Sequence, residues 1–186
     1  MLSCAQAVSI LLEAAAENKV DEFLKILAPV VLKKGNFTLR NGKESNIYLD
    51  VKKAYGDSYL LNSLADNLWK IIDKRTTCVA AYGVGGIALA TAISSRSNVR
   101  LSIIRQEVKN YGTQQKIEGH VPAAEDFVTI VDDVFTTGSS FREASEIIKE
   151  TKANILGYAV VVNRQEGKEK LEAPLSFLYR AEEIYL

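Results

Sequence analysis

From residue 77 onward the sequence keeps one rhythm: a short run rich in β-branched and apolar residues, a turn, then a stretch of helical length. The spacing predicts strands at 77–82, 100–104, 127–131 and 155–162, with a last one near 175–178. It predicts a Gly83–Gly86 turn, helices at 87–95 and 139–150, a short helix near 167–172, and polar loops at 106–119 and 132–137. Strands that alternate with helices pair in parallel through crossovers, and those crossovers cover the sheet on both faces. The expected fold class is therefore α/β, with a mostly parallel central sheet and helices on both faces. A chain of 186 residues accommodates this as a single domain.

The N-terminal third reads differently. Residues 4–16 have mixed helical spacing, broken at Glu17-Asn18-Lys19. A second helix is expected from Val20 to about Leu32, with Val20, Phe23, Leu24, Leu27, Val30 and Val31 on one face. Lys33-Lys34 followed by Gly35 has the form of a helix stop. Phe37–Leu39 and Asn46–Val51 read as strands around an Asn41-Gly42 turn. A further helix is expected from Ser58 to about Asp73. The predicted organisation is an N-terminal helical extension at 1–18 and one domain at 19–186. Within that domain a small subdomain covers about 19–55 and the core about 56–186.

Lys plus Arg and Asp plus Glu each number 23, so no basic excess marks the chain for nucleic acid. The two cysteines, Cys4 and Cys78, have no CxxC partner, and the one histidine, His120, completes no zinc spacing. No disulfide framework is implied, which makes a reducing cytoplasm the expected location. The opening residues lack the charged flank and apolar core of a signal peptide, and no stretch approaches a membrane span.

The segment from Val128 to Ser140 concentrates the chemistry. An apolar strand ends in two adjacent carboxylates, Asp132 and Asp133, and Val134-Phe135-Thr136-Thr137-Gly138-Ser139-Ser140 then opens a helix. Ligands in parallel sheets bind at the carboxyl ends of strands. A helix N-terminus offers unpaired N–H groups and a positive dipole end to a phosphate. The hydroxyls of Thr136, Thr137, Ser139 and Ser140 add donors, and Gly138 allows close approach. Asp132 and Asp133 suit sugar hydroxyls, directly or through a divalent cation. A plainer alternative is that the acids only end the strand and Thr137 or Ser139 caps the helix. No GxxxxGK[ST] pattern is present.

This run resembles the phosphoribosyl pyrophosphate (PRPP) signature of type I phosphoribosyltransferases, and other blocks resemble the orotate phosphoribosyltransferase family over roughly residues 20–186. Gly35–Asp50 is similar to that family's G-x-F-x-L-[K/R]-S-G-x-x-S-P-x-Y block. Tyr82-Gly83-Val84-Gly85-Gly86-Ile87-Ala88-Leu89-Ala90 resembles its pyrophosphate loop, without the usual Pro followed by Tyr or Lys. Arg105-Gln106-Glu107-Val108-Lys109-Asn110-Tyr111-Gly112-Thr113 resembles its R-K-E-x-K-D-[H/Y]-G-T loop, with Gln106 in place of a basic residue. Asn163-Arg164-Gln165-Glu166-Gly167 is similar to its D-R-x-E-G.

The resemblance implies an N-terminal hood over 19–55 and an Mg²⁺-dependent transfer of ribose 5-phosphate from PRPP to orotate, in pyrimidine biosynthesis. It implies Lys109, Asp132 and Asp133 as catalytic residues. PRPP contacts would come from Arg105, Gln106, Lys109, Tyr111 and Asp132 through Ser140, and orotate contacts from Arg40, Tyr48, Thr136 and Arg164. A planar guanidinium at 164 suits a carboxylate, which uracil and hypoxanthine lack. Mg²⁺ would be held mainly by PRPP, with Asp132 and Asp133 as protein ligands. The expected assembly is a homodimer with Lys109 completing the partner's site, binding neither nucleic acid nor membrane. His120 has no expected catalytic role. Two alternatives stay open: a phosphoribosyltransferase for another base, and a non-catalytic PRPP-sensing regulator.

Overall fold

A computed structural model describes residues 22–38, 42, 44–106, 115–165 and 170–185. The described residues up to Asp50 form one compact unit, and Val51–Ile184 form another. The expected helix at 4–16 lies outside the described residues.

In the first unit, helix α1 (residues 22–31) buries Phe23, Leu27 and Val31 along one face. The chain passes directly into β1 (Leu32–Thr38), which pairs antiparallel with β2 (Glu44–Leu49). The expected helix stop at Lys33-Lys34-Gly35 is thus corrected. Lys33 lies opposite Tyr48 and Lys34 opposite Ile47, and the register shifts between Lys34 and Phe37. Gly35 therefore serves an irregularity in a strand, a common place for glycine. A neighbouring strand satisfies the backbone here as a helix end could not. Of the expected turn, Asn41 lies outside the described residues.

The second unit opens with a 3-10 helix (Val51–Gly56) in place of the strand end expected at Val51. Helix α2 (Ser58–Ile71) follows, and its N-cap Asp57 accepts hydrogen bonds from the Tyr59 and Leu60 amides. Among the described residues, six strands then form one sheet: β3 (Cys78–Tyr82), β4 (Arg100–Ile104), β5 (Ile117–Gly119), β6 (Phe127–Phe135), β7 (Asn154–Asn163) and β8 (Leu175–Arg180). Their order is β5-β4-β3-β6-β7-β8, parallel except for β5 against β4. Helix α3 (Val84–Ser97) follows β3, α4 (Ser139–Glu150) follows β6, and α5 (Ala181–Ile184) follows β8.

Cys78, Ala80 and Tyr82 share a core cluster with Phe141, Ala144 and Ile148 of α4. Val79 and Ala81 alternate to the opposite face, where α2 and α3 pack. Helices on both faces of a mostly parallel sheet match the expected class.

Several boundaries differ from expectation. Strand β6 runs on to Phe135, because β7 continues alongside it and pairs Asp132 with Val160 and Val134 with Val162. The expected loop at 132–137 therefore shrinks to three residues. Helix α3 begins at Val84, because Gly83 turns the chain alone with φ 82° and ψ 171°. Part of the expected loop at 106–119 is β5, anchored by buried Ile117 opposite Ile104. Residues 170–172 are not helical, and the rest of the short helix expected there (167–169) lies outside the described residues.

At the amino ends of the parallel strands, Asp126 is 1% exposed and ties the loops together. It accepts from Thr77 Oγ1 at 2.9 Å, Arg100 at 2.9 Å and the Ala123 amide at 3.0 Å, and pairs with His120 Nε2 at 2.7 Å. His120 thus has a structural partner far along the strands from their carboxyl ends.

Candidate active site

The carboxyl ends of β3, β4, β6 and β7 lie along one edge of the sheet, so residues distant in sequence meet there. Gly83 follows β3, Arg105 follows β4 and Arg164 follows β7. The Arg164 amide donates to the Phe135 carbonyl at 2.8 Å, which fixes the exit of β7 beside the end of β6.

Asp132 and Asp133 are the centre of this edge. Asp133 is buried, and its carboxylate is held from two sides: Oδ1 accepts from the Val134 amide at 2.9 Å and Oδ2 from Lys52 Nζ at 2.9 Å. Asp132 Oδ1 accepts from the Asp133 amide at 2.9 Å. Burial, with the Asp133 carboxylate alongside, pushes the Asp132 carboxyl up to about 8. Both causes penalise negative charge at Asp132, and the positive charge of a bound cation would offset them.

Two helix N-termini flank the acids. The N-caps are Gly83 for α3 and Gly138 for α4; neither end carries a side-chain cap or an acid in its first turn. The alternative in which Thr137 or Ser139 caps α4 is therefore not realised. Gly138 has φ 79°, and a Cβ there would lie 3.1 Å from Phe135 Cε2. First-turn N–H groups and dipole ends thus meet at an edge that also carries the Thr136, Thr137, Ser139 and Ser140 hydroxyls.

The α3 turn lies directly on the acids. A Cβ at Gly85 would sit 2.6 Å from Asp133 Cγ and 2.8 Å from Asp132 Oδ1. The Tyr55 hydroxyl donates to the Gly85 carbonyl at 2.8 Å, so the 3-10 helix braces the turn as well as holding Asp133. Tyr82, at the end of β3, donates to Glu143 of α4, and burial first, then that carboxylate, pushes its hydroxyl up to about 12. This bond ties the strand before one N-terminus to the helix after the other.

The structure gathers Arg105, Gln106, Asp132 through Ser140 and Arg164 at one sheet edge. Gln106 is exposed, and its amide nitrogen would be 2.8 Å from a Cβ at Gly83. The Arg105 guanidinium pairs with Glu118 at 2.5 Å, and the Arg105 amide donates to Lys116. Phe135 is buried with its ring stacked on Phe141 at 6.0 Å, so its side chain serves packing. Tyr48 lies in β2 of the other unit, its ring 5.4 Å from Phe37. Arg40, Lys109 and Tyr111 lie outside the described residues. Sequence reasoning missed Lys52, Tyr55 and the closeness of Gly85; only the paired glycines at 85 and 86 signalled a close approach.

Acids at a strand end, between two open helix N-termini, are the arrangement of a phosphoribosyl-transfer domain. A family described as the phosphoribosyl transferase domain matches residues 58–182. The orotate phosphoribosyltransferase of Methanosarcina acetivorans is 39% identical over 140 residues, 74% of each chain. That of Methanococcus maripaludis is 36% identical over 156 residues, 81% of this chain and 84% of its own. The crystal structure of the Aeropyrum pernix orotate phosphoribosyltransferase superposes with a TM-score of 0.77 at 26% identity, covering 87% of this chain and 95% of that one. The chain belongs to the orotate phosphoribosyltransferase family.

Proposed function

We propose that this protein transfers ribose 5-phosphate from PRPP to orotate, giving orotidine 5′-monophosphate and pyrophosphate for pyrimidine biosynthesis. The supporting observation is the pair Asp132 and Asp133 set between two helix N-termini that no side chain caps. The α4 N-terminus and the hydroxyls of Thr136, Thr137, Ser139 and Ser140 hold the 5-phosphate. The Gly83–Gly86 turn meets the diphosphate through its backbone. Asp132 and Asp133 orient the ribose hydroxyls and set negative charge beside a sugar that becomes oxocarbenium-like. Arg164 clamps the orotate carboxylate, and the family resemblance assigns Arg40, Tyr48 and Thr136 to orotate as well. Lys109, with Arg105, Gln106 and Tyr111, stabilises charge on the departing pyrophosphate. Orotate arrives as an anion, so no strong general base is required.

Two adjacent carboxylates fit Mg²⁺, which keeps most of its oxygen ligands from phosphate and water. No cluster of three or more acidic, His or Cys side chains suited to caging a metal occurs among the described residues. Asp132 and Asp133 would hold the ion, which when bound supplies positive charge to the diphosphate leaving group. The reading includes a cytoplasmic homodimer with shared sites. Among the described residues no helix is long and apolar enough to cross a membrane.

The test is pyrophosphate release from PRPP with orotate, uracil, hypoxanthine and adenine in parallel. Release with orotate alone is expected; equal or faster release with another base overturns the assignment.

A further inference from the structure

We propose that Lys52 is an exchangeable counter-ion of the acid pair. It holds Asp133 while the site has no substrate, and it moves to a diphosphate oxygen when metal-bound PRPP takes over that carboxylate. The inference rests on the PRPP-transfer reading above and assigns a role to a residue in the 3-10 helix, outside the strand-end motif.

Three observations carry it. First, Lys52 Nζ lies 2.9 Å from Asp133 Oδ2, while Asp133 Oδ1 is committed to the Val134 amide at 2.9 Å. An ammonium on Oδ2 stands where a divalent ion would approach that carboxylate, and two cations cannot share the place. Second, the pair is lopsided: the Lys52 side chain is 44% exposed and that of Asp133 12%. The carboxylate is fixed by its strand, whereas the ammonium comes from the solvent side on a flexible stem with rotatable donors. Third, the place it would move to is adjacent. The Gly85 turn lies against Asp133, with a Cβ there falling 2.6 Å from Asp133 Cγ, and Tyr55 of the same 3-10 helix donates to the Gly85 carbonyl at 2.8 Å. Gly83-Val84-Gly85-Gly86 contains no cationic residue, so a diphosphate seated there draws its charge from elsewhere.

An exchange has a signature that simple orientation of Asp133 lacks. Without the ammonium, metal alone should bind better, because the resident cation is gone. PRPP should bind worse, because its diphosphate has lost a donor. The experiment uses the full chain as wild type, Lys52→Met and Lys52→Arg. Mn²⁺ binding to substrate-free protein is followed by electron paramagnetic resonance, and PRPP binding in the presence of Mg²⁺ by calorimetry. For Lys52→Met we expect Mn²⁺ affinity to rise about tenfold and PRPP affinity to fall about tenfold to a hundredfold, as for loss of a hydrogen bond to a charged group. Lys52→Arg should stay near wild type on both. Mn²⁺ affinity that is unchanged or weaker in Lys52→Met, or PRPP affinity that is unchanged, overturns the exchange. A wild type that binds PRPP without transferring it to orotate removes the base assignment only. A wild type that binds no PRPP overturns both.

Discussion

The contact between Gly85 and the acid pair separates stability from function when methyl groups are added at two neighbouring glycines. Gly85 lies in the first turn of α3, where the backbone accepts alanine and helix propensity alone favours it by about 1 kcal/mol. The new Cβ would nevertheless lie 2.6 Å from Asp133 Cγ, where ordinary contact begins near 3.4 Å. The carboxylate must retreat by about 1 Å, and it cannot do so while bonded to both the Val134 amide and Lys52. Losing one charge-assisted bond costs about 1.5–3 kcal/mol. Set against the helix term, Gly85→Ala should lose about 0.5–2 kcal/mol, lowering Tm by about 1–8 °C.

The functional effect should be far larger. A displacement of about 1 Å in a positioning group can cost on the order of a hundredfold in rate. Gly86→Ala inverts the balance. Its Cβ falls on the Val131 carbonyl oxygen, with the carbonyl carbon 3.2 Å away, and the backbone of a central strand cannot step aside. That variant should lose about 3 kcal/mol or more. Transfer kinetics and a thermal melt on both proteins decide the matter. Gly85→Ala within threefold of wild-type kcat/KM would show that the position of Asp133 is not critical. Gly86→Ala melting together with Gly85→Ala would refute the packing argument.

Arg164→Ala should weaken orotate about tenfold to a hundredfold and leave PRPP nearly unchanged in calorimetry, as expected for loss of a charge-assisted clamp. Asp126 would be raised by burial, but hydrogen bonds from His120, Ala123 and Thr77 overcome this and hold it at about 2. Its contribution is therefore full above about pH 4 and lost as pH falls through about 2, and Asp126→Asn should show lower thermal stability at neutral pH and a flatter acid limb. Lys109→Ala and Asp132→Asn should each be nearly inactive, yet mixing them should restore up to half the activity per heterodimer if sites are shared. Subunit exchange without recovered activity would place Lys109 in its own chain's site.

The strand and helix order was readable because parallel strands and their crossovers carry strong, separate hydrophobic periods. Even the short run Cys78–Tyr82, buried at every residue, was legible. What sequence alone misjudged were places where pairing overrides local signals. Lys33-Lys34-Gly35 has every local mark of a helix stop, yet the β2 ladder claims it. Asp132 and Asp133 look like loop residues, yet β7 extends their strand. At the site, the run from Asp132 to Ser140 was legible because its parts are contiguous. Lys52 was not, because it reaches Asp133 across 81 residues of sequence and only the sheet topology brings them together.

The capping of the helices carries this contrast further. Helix α2 begins with Asp57, whose carboxylate accepts two first-turn amides, as a stable helix end should. Helices α3 and α4 begin with Gly83 and Gly138 and have no side-chain cap. An Asp at either place could satisfy the same amides but would bring a third carboxylate to an edge where Asp132 is already pushed up to about 8 by burial and the charge of Asp133. It would also occupy the N–H groups and offset the dipole that an anion needs. Since replacing a cap by glycine costs only a few tenths of a kcal/mol, leaving both ends open sacrifices little stability. Glycine at 83 and 138 therefore meets the positive φ at each position while adding no acid to the two caps.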